Sequence, residues 1–298
     1  MALAVVAMTP QRAARIAVDR AMSPAIPDVL HDLCVDAAEM RTAKWTDAIV
    51  IAPDHRIAAA VAGLRPLGCP IRNVPAAVSD RCADKLGLAE RIAAAGIRTP
   101  KTRSFRAGLL AKGYLVKPRY GFGTQVMRVG PSDVTGIAPT SDSQLIEQPI
   151  EIGEHLSIVV LCTSDGRTVL PVVQKSLAGP SADPDRFCVE RATVSGFDPD
   201  VEAFAGRVLD AIADTGERLD GPLGLDLVRT PTGDLSLIEV NPRVTSSLAG
   251  YVLAGGPPPQ LGWDGSATPG AYGTPFSFTP CDLVAAMSRR AGRGRDAR

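Results

Sequence analysis

The sequence predicts an α/β (α+β) protein in which a short Rossmann-like lobe precedes a larger, β-rich body. Three observations carry that expectation. Strand and helix signals alternate over the first hundred residues. From Tyr114 onward, short β-rich runs bounded by Gly, Pro, Asp or Ser replace them. Late in the chain, the apolar runs 223–228 and 237–240 flank the turn Thr230-Pro231-Thr232-Gly233-Asp234, which reads as an antiparallel hairpin.

Taken in order, residues 2–7 read as a first strand. Met1 to Met8 is apolar, but Pro10, Arg12 and Arg15 interrupt it, and it lacks the basic leader and small-residue cleavage site of a secretion signal. Residues 11–21 read as a helix, 47–52 as a buried strand, 54–64 as a helix and 69–74 as a short strand. Together they predict a parallel α/β lobe over 1–78. Ser79 or Asp80 is expected to cap the next helix, which carries Leu86, Leu88, Ile92 and Ala93; Gly96 stops it and Pro100 prevents its return. Strands follow at 114–117, 125–129, 144–147, 155–162, 168–174 and 187–193. Asp198 as N-cap, Pro199 in the first turn, and Val201, Phe204, Val208 and Ile212 at helical spacing predict a long helix closed near Gly216. Beyond Gly250 the chain is rich in Gly and Pro through Pro280. Only 282–290 then looks helical, and 291–298 reads as a frayed basic tail. There is no internal repeat.

Composition narrows the function classes. A chain of 298 residues that is 45% hydrophobic buries roughly three quarters of its unfolded surface, enough for two or three lobes around a cleft. Its 32 basic and 32 acidic side chains cancel, so nothing global favours nucleic acid or an anionic membrane. Small-molecule partners are expected, with a homodimer as the assembly left open. The six cysteines include no CxxC pair, which argues against a zinc site or disulfide framework and suits a reducing cytoplasm. No segment approaches the roughly 20 apolar residues of a membrane span. His31, His55 and His155 lie in no serine or cysteine hydrolase motif and read as structural.

Chemistry is most visible in Leu237-Ile238-Glu239-Val240-Asn241-Pro242-Arg243. Alternation places Glu239 and Asn241 on one face of a strand. The hairpin would set Asp226, thirteen residues upstream of Glu239, beside it. Hard oxygen donors of this kind suit Mg²⁺, which is held by one or two carboxylates together with substrate phosphates. Lys117 ends a second strand and is followed by Gly121, Gly123 and Thr124. A loop of this type lets backbone N–H groups approach a phosphate that the lysine also attracts, although an ordinary hairpin has the same composition. It is neither a Walker A loop nor a dinucleotide fingerprint. In the segment from Glu147 through Gln148, Pro149 and Ile150 to Glu154, the proline ends a strand and leaves backbone groups for a flat heterocycle, with Glu154 able to accept from ribose hydroxyls. An acidic surface loop reads the same way.

As an ordered set these elements resemble the ATP-grasp superfamily of carboxylate-activating ligases, over roughly residues 84–247. The resemblance implies a three-part architecture: an amino-terminal lobe, then an ATP-grasp region over 79–290 with a lid lobe at about 100–148 and a carboxy-terminal lobe at about 149–290. It implies that ATP binds between the last two, with Mg²⁺ as the metal and Mn²⁺ as an admissible substitute. Lys117 then meets the α-phosphate, Gly121 to Thr124 cover the β- and γ-phosphates, Glu147 and the backbone of Gln148 and Ile150 hold adenine, and Glu154 holds ribose. Asp226, Glu239 and Asn241 ligate the metal. Lys85 matches the lysine of an Asp-Lys pair that opens the nucleotide lobe, and Lys175 is placed to reach phosphates or substrate. Gly224 departs from the pattern, since some such ligases carry an arginine there; transition-state charge would fall to Arg243, whose rigid fork suits phosphate oxygens.

Within that superfamily, Asn241 to Ser247 followed by Gly250-Tyr251 is similar to the tyramine–glutamate ligases of methanofuran biosynthesis. The similarity implies activation of the γ-carboxylate of glutamate as an acyl phosphate and attack by tyramine or a related amine, with Thr245, Ser246 and Ser247 near the acceptor or capping the next helix. The same Glu-x-Asn-Pro-Arg wording resembles carbamoyl-phosphate synthetase and biotin carboxylase, which use bicarbonate. A nucleotide-binding module without turnover is the remaining alternative.

Overall fold

In a computed structural model the described residues are 4–9, 12–15, 47–51, 57–59, 61–62, 71, 73–105, 114–120, 127–129, 145–163, 166–177, 189–243, 245 and 276–278. They build three sheets in which every described strand pair is antiparallel. The first contains β1 (Ala4–Thr9), β2 (Arg12–Arg15) and β3 (Asp47–Ile51), in the order β2-β1-β3. The second contains β4 (Arg103–Ser104), β5 (Tyr114–Pro118), β6 (Met127–Val129) and β7 (Leu145–Pro149), in the order β4-β7-β5-β6. The third and largest contains β8 (Glu154–Cys162), β9 (Arg167–Val169), β10 (Val172–Leu177), β11 (Val189–Gly196), β12 (Gly221–Arg229), β13 (Leu235–Asn241) and β14 (Phe276–Phe278). Its path is β13-β12-β8-β10-β11-β14, with β9 paired to β8.

The first sheet corrects two expectations. Its strands pair antiparallel rather than parallel, and residues 12–15 form a strand where a helix over 11–21 is predicted. The physical reason is the connection. Pro10 disfavours the helical region for Thr9, and a link of two residues admits only an antiparallel neighbour; Thr9 pairs with Arg12. The remainder of that predicted helix lies outside the described residues, as do Gly121 to Thr124, residues 282–290 and the basic tail.

Among the described residues, three helices cover one face of the large sheet: α1 (Ala76–Ala83), α2 (Lys85–Ala94) and α3 (Pro199–Ile212). The predicted cap at Ser79 or Asp80 is also corrected. Ser79 is buried inside α1, which starts after Pro75 with no side-chain cap, and the cap belongs to α2, where the Asp84 carboxylate accepts from the Gly87 N–H at 3.1 Å. Asp84 can leave the first helix and start the second because its side chain replaces a carbonyl as partner for an otherwise unpaired amide. Helix α3 begins as expected, with Asp198 Oδ1 accepting from the N–H groups of Asp200 and Val201. No basic residue lies in its last turn. Arg81 and Arg91, from α1 and α2, donate instead to its final carbonyls, Arg81 Nε to Ile212 O at 3.0 Å and Arg91 Nε to Ala211 O at 2.5 Å.

Strand period sets the core on one side of the sheet. Leu156, Ile158 and Val160 of β8 join Leu223, Leu225, Leu227, Leu237 and Val240 from the hairpin, and Val201, Phe204, Val208 and Ile212 of α3 pack on them. Each such side chain, fully buried, contributes about 1.5–3 kcal/mol. The intervening residues of the same strands, Ser157 and Asp226 among them, face away from the helices, and there the polar side chains gather. Among the described residues no helix is long and apolar enough to cross a membrane.

Candidate active site

The hairpin β12–β13 positions the first two groups. Asp226 is paired with Glu239 and Gly224 with Asn241, so two carboxylates and an amide stand on one face. The turn that closes the hairpin is held by Thr230 N–H to Asp234 O and Gly233 N–H to Thr230 O, both at 2.9 Å. On the other side of β12, Ser157 of β8 lies opposite Asp226. One strand further, Lys175 of β10 lies opposite His155 of β8.

Cations then converge on the carboxylates from three directions. Lys175 Nζ is 2.6 Å from Asp226 Oδ1. Lys85, the first residue of α2, brings its Nζ to 3.8 Å from Glu239 Oε1, and Lys117, on β5, brings its Nζ to 4.0 Å from Glu239 Oε2. Arg243 Nη2 donates to Asn241 Oδ1 at 3.2 Å, while Asn241 Nδ2 donates to Asp226 Oδ2 at 3.5 Å. Lys85, Lys117 and Arg243 are all buried, Lys117 to 5% exposure. Burial pushes the Lys117 ammonium below its ordinary range and Lys85 adds to that, while Glu239 and Asp226 oppose it. For Asp226 burial acts upward, but the Lys175 ammonium outweighs it and the carboxyl titrates below its usual range.

The segment read as an adenine hinge comprises the end of β7 and residues 150–154. Glu147 is 1% exposed. One of its oxygens accepts from Arg103 Nε, and the other, Oε2, is buried with no protein partner. Gln148 is buried beside it and donates from Nε2 to Thr102 Oγ1 at 3.0 Å. Ile150 leaves the strand after Pro149. A side chain at Gly153 would run into the carbonyl of Arg229, so only glycine lets this segment lie against the end of β12. Glu154 begins β8 and is engaged elsewhere: Arg229 Nη1 lies 3.6 Å from its Oε2, and Arg229 Nη2 lies 2.5 Å from Asp198 Oδ2 at the start of α3. With His155 and Lys175 it also lines a cleft of about 570 Å³.

The structure therefore gathers Lys85, Lys117, Lys175, Asp226, Glu239, Asn241 and Arg243 into one polar cluster and sets Glu147 and Gln148 on the neighbouring sheet, with Ile150 just past the end of β7. Glu154 is drawn toward Arg229, and Gly121, Gly123 and Thr124 lie outside the described residues. Two contributors, Arg119 and His155, escaped the sequence reading as site residues. Arg119 fixes Asp84, and with it Lys85, through paired contacts to both carboxylate oxygens; its only signal was a cation two residues after Lys117. His155 faces Lys175 across the ladder, and burial followed by the Lys175 charge lowers its pKa. Thr245 packs against Gly224, where any Cβ would run into its Cγ2, and its Oγ1 is buried without a partner. A side chain at position 224 would therefore have to displace Thr245.

Among the described residues no three of His, Cys, Asp and Glu cluster as a metal site; the donor set here is two carboxylates and an amide oxygen. That chemistry suits a hard divalent ion which takes its remaining ligands from phosphate and water. The Lys175 ammonium against Asp226 is a stand-in cation at the same seat.

Comparison with known proteins agrees with this geometry. Residues 82–247, more than half of the chain, match the family described as ATP-grasp domain. No curated protein matches the sequence. Among solved structures, the chain is similar to an ATP-grasp superfamily protein from Archaeoglobus fulgidus, with a TM-score of 0.53 and 20% identity over 73% of this chain and 64% of that one. It is similar to an L-amino acid ligase from Bacillus licheniformis, with a TM-score of 0.53 and 17% identity over 68% of this chain and 50% of that one. It is also similar to a carboxyaminoimidazole ribonucleotide synthase from Aspergillus clavatus complexed with ATP, with a TM-score of 0.52 and 14% identity over 70% of this chain and 56% of that one. At these identities the likeness is one of fold. The chain spans between half and two thirds of the length of these structures.

Proposed function

This chain belongs to the ATP-grasp family, and from that premise we propose that it is an ADP-forming ligase that activates a carboxylate with ATP and joins it to an amine. Its fold is the ATP-grasp fold, mixed α and β with antiparallel sheets. The single observation that carries the proposal is the convergence of Lys85, Lys117 and Lys175 on the paired carboxylates Asp226 and Glu239, with Arg243 on the adjoining Asn241. A cluster of this composition fits a polyphosphate and a divalent ion together.

A carboxylate resists attack because its charge is delocalised and its leaving group would be oxide. Transfer of the γ-phosphoryl group onto one carboxylate oxygen gives an acyl phosphate and ADP; the amine then attacks the carbonyl carbon, and phosphate leaves with that oxygen. Phosphoryl transfer asks the protein chiefly for positioning and charge neutralisation. Lys117, with Lys85 beside it, binds the α-phosphate side of the nucleotide. Glu147 Oε2, lacking a partner inside the protein, accepts from the adenine amino group, with the backbone of Gln148 and Ile150 completing the hinge. Glu154 takes the ribose hydroxyls when it yields its contact with Arg229. Arg243 neutralises charge on the transferring group and Lys175 meets the terminal phosphates, to which Gly121, Gly123 and Thr124 are assigned on the resemblance alone. Asp226, Glu239 and Asn241 would hold Mg²⁺, which would supply charge neutralisation to the polyphosphate. To the buried, unpartnered hydroxyl of Thr245 we assign a substrate carboxylate as partner.

For substrates we favour the γ-carboxylate of glutamate and tyramine or a related tyrosine-derived amine, on the wording of residues 241–247 and of Gly250-Tyr251. The test is an ADP-release screen with Mg·ATP across amino-acid and amine pairs, with mass detection of product. Release that requires glutamate and an aromatic amine together supports this choice. Release with bicarbonate moves the assignment to a carboxylase-like or carbamoyl-phosphate-like reaction. Nucleotide binding without release under any pair leaves a binding module.

A further inference from the structure

Around the two carboxylates the charges do not balance. Lys85, Lys117 and Lys175 bring three ammonium groups against Asp226 and Glu239, and Arg243, on the neighbouring Asn241 oxygen, adds a fourth cation beside them. A free divalent cation entering this cluster meets net repulsion, whereas a triphosphate, with its several negative charges, is attracted. The seat itself is closed. Lys175 Nζ, 2.6 Å from Asp226 Oδ1, makes a short charge-assisted contact between side chains only 17% and 30% exposed. The Asn241 amide presents its N–H to Asp226 Oδ2 at 3.5 Å and its oxygen to Arg243, so Asp226 Oδ1 and Asn241 Oδ1 each already face a cation. Breaking a partly buried ion pair is costly unless the departing ammonium finds another anion.

We propose that Lys175 closes the metal seat of the nucleotide-free protein and opens it only when polyphosphate oxygens arrive to receive its ammonium, so that metal and nucleotide bind together and not in succession. The inference rests on the nucleotide site proposed above and adds an order of events to it. Lys175 is thus a positioning residue as well as a phosphate contact: by holding Asp226 it prevents the divalent ion from binding where there is nothing to transfer.

The experiment is a Mn²⁺ titration of the full chain with and without ADP, read as the loss of the free-ion electron paramagnetic resonance signal beyond that of a protein-free control holding the same ADP. The wild type should retain Mn²⁺ at least tenfold more tightly with ADP than without it. Lys175→Met should bind Mn²⁺ without nucleotide at least tenfold more tightly than the wild type, and a second change, Asp226→Asn, should remove that gain. Equal Mn²⁺ affinity of the wild type with and without ADP overturns the inference and needs no variant. So does a folded Lys175→Met protein, judged by its thermal melt, that gains no affinity. If the wild type retains no Mn²⁺ even with ADP, the nucleotide site fails and the inference with it; if it retains Mn²⁺ with ADP but either other result fails, the inference alone falls.

Discussion

Arg119 holds Asp84 with two parallel contacts, Nε to Oδ1 at 2.6 Å and Nη2 to Oδ2 at 2.5 Å, across the junction between α2 and the end of β5. The same Asp84 caps α2, and the Lys85 N–H donates to the carbonyl of Arg119 at 3.2 Å. Two lysines from different elements, Lys85 and Lys117, are thereby registered against one carboxylate, Glu239. Removing the carboxylate in Asp84→Ala loses an N-cap and a charged pair and is expected to cost about 1–3 kcal/mol. It should also weaken nucleotide binding although residue 84 touches no phosphate. Arg119→Met should weaken binding similarly while sparing the cap. Chemical denaturation and equilibrium nucleotide titration of both variants check this.

Acid should unfold the protein through such pairs. The Arg119 guanidinium holds Asp84 below its ordinary value of 3.8. For Asp198 burial acts upward, but Arg229 and the amides of Val201 and Asp200 carry its carboxyl below 3.8 too. A carboxyl whose folded pKa is depressed contributes stability that is fully present above its unfolded value and lost as pH falls through the folded one. The melting temperature should therefore hold as acid is added down to about pH 4 and fall below it. Arg119→Met should lessen the acid-dependent part of that fall, and a profile parallel to the wild type would contradict the pairing.

Gly224 and Thr245 should behave as a coupled pair. A Cβ at 224 runs into Thr245 Cγ2, so Gly224→Ala is expected to cost about 1–3 kcal/mol as an overpacking change. Thr245→Ser deletes that methyl group, and the double variant should recover much of the loss. A double-mutant cycle measures it; additive losses would show that the two positions do not share the space.

The hairpin was legible because every local signal agreed. Turn residues, apolar alternation and strand lengths each predict Asp226 beside Glu239, and the ladder pairs them. Asp198 and Pro199 announced α3 for a similar reason, since capping chemistry is local. What the sequence concealed depends on contacts remote along the chain. Arg229 engages Glu154 and Asp198 together, Arg119 pins the Asp84 that caps α2, and the methyl group of Thr245 fills the space beside Gly224. Residues 12–15 were misread because helical composition yields to a two-residue link that forces pairing.

The most direct test of the account traces oxygen. The carboxylate selected by the release screen is labelled with ¹⁸O in both oxygens, and the inorganic phosphate formed with ADP is analysed by mass. Transfer through an acyl phosphate predicts one ¹⁸O in each phosphate released, with Glu239→Gln reducing the yield by orders of magnitude while the fold remains intact. Unlabelled phosphate, or near-normal turnover by Glu239→Gln, would contradict it.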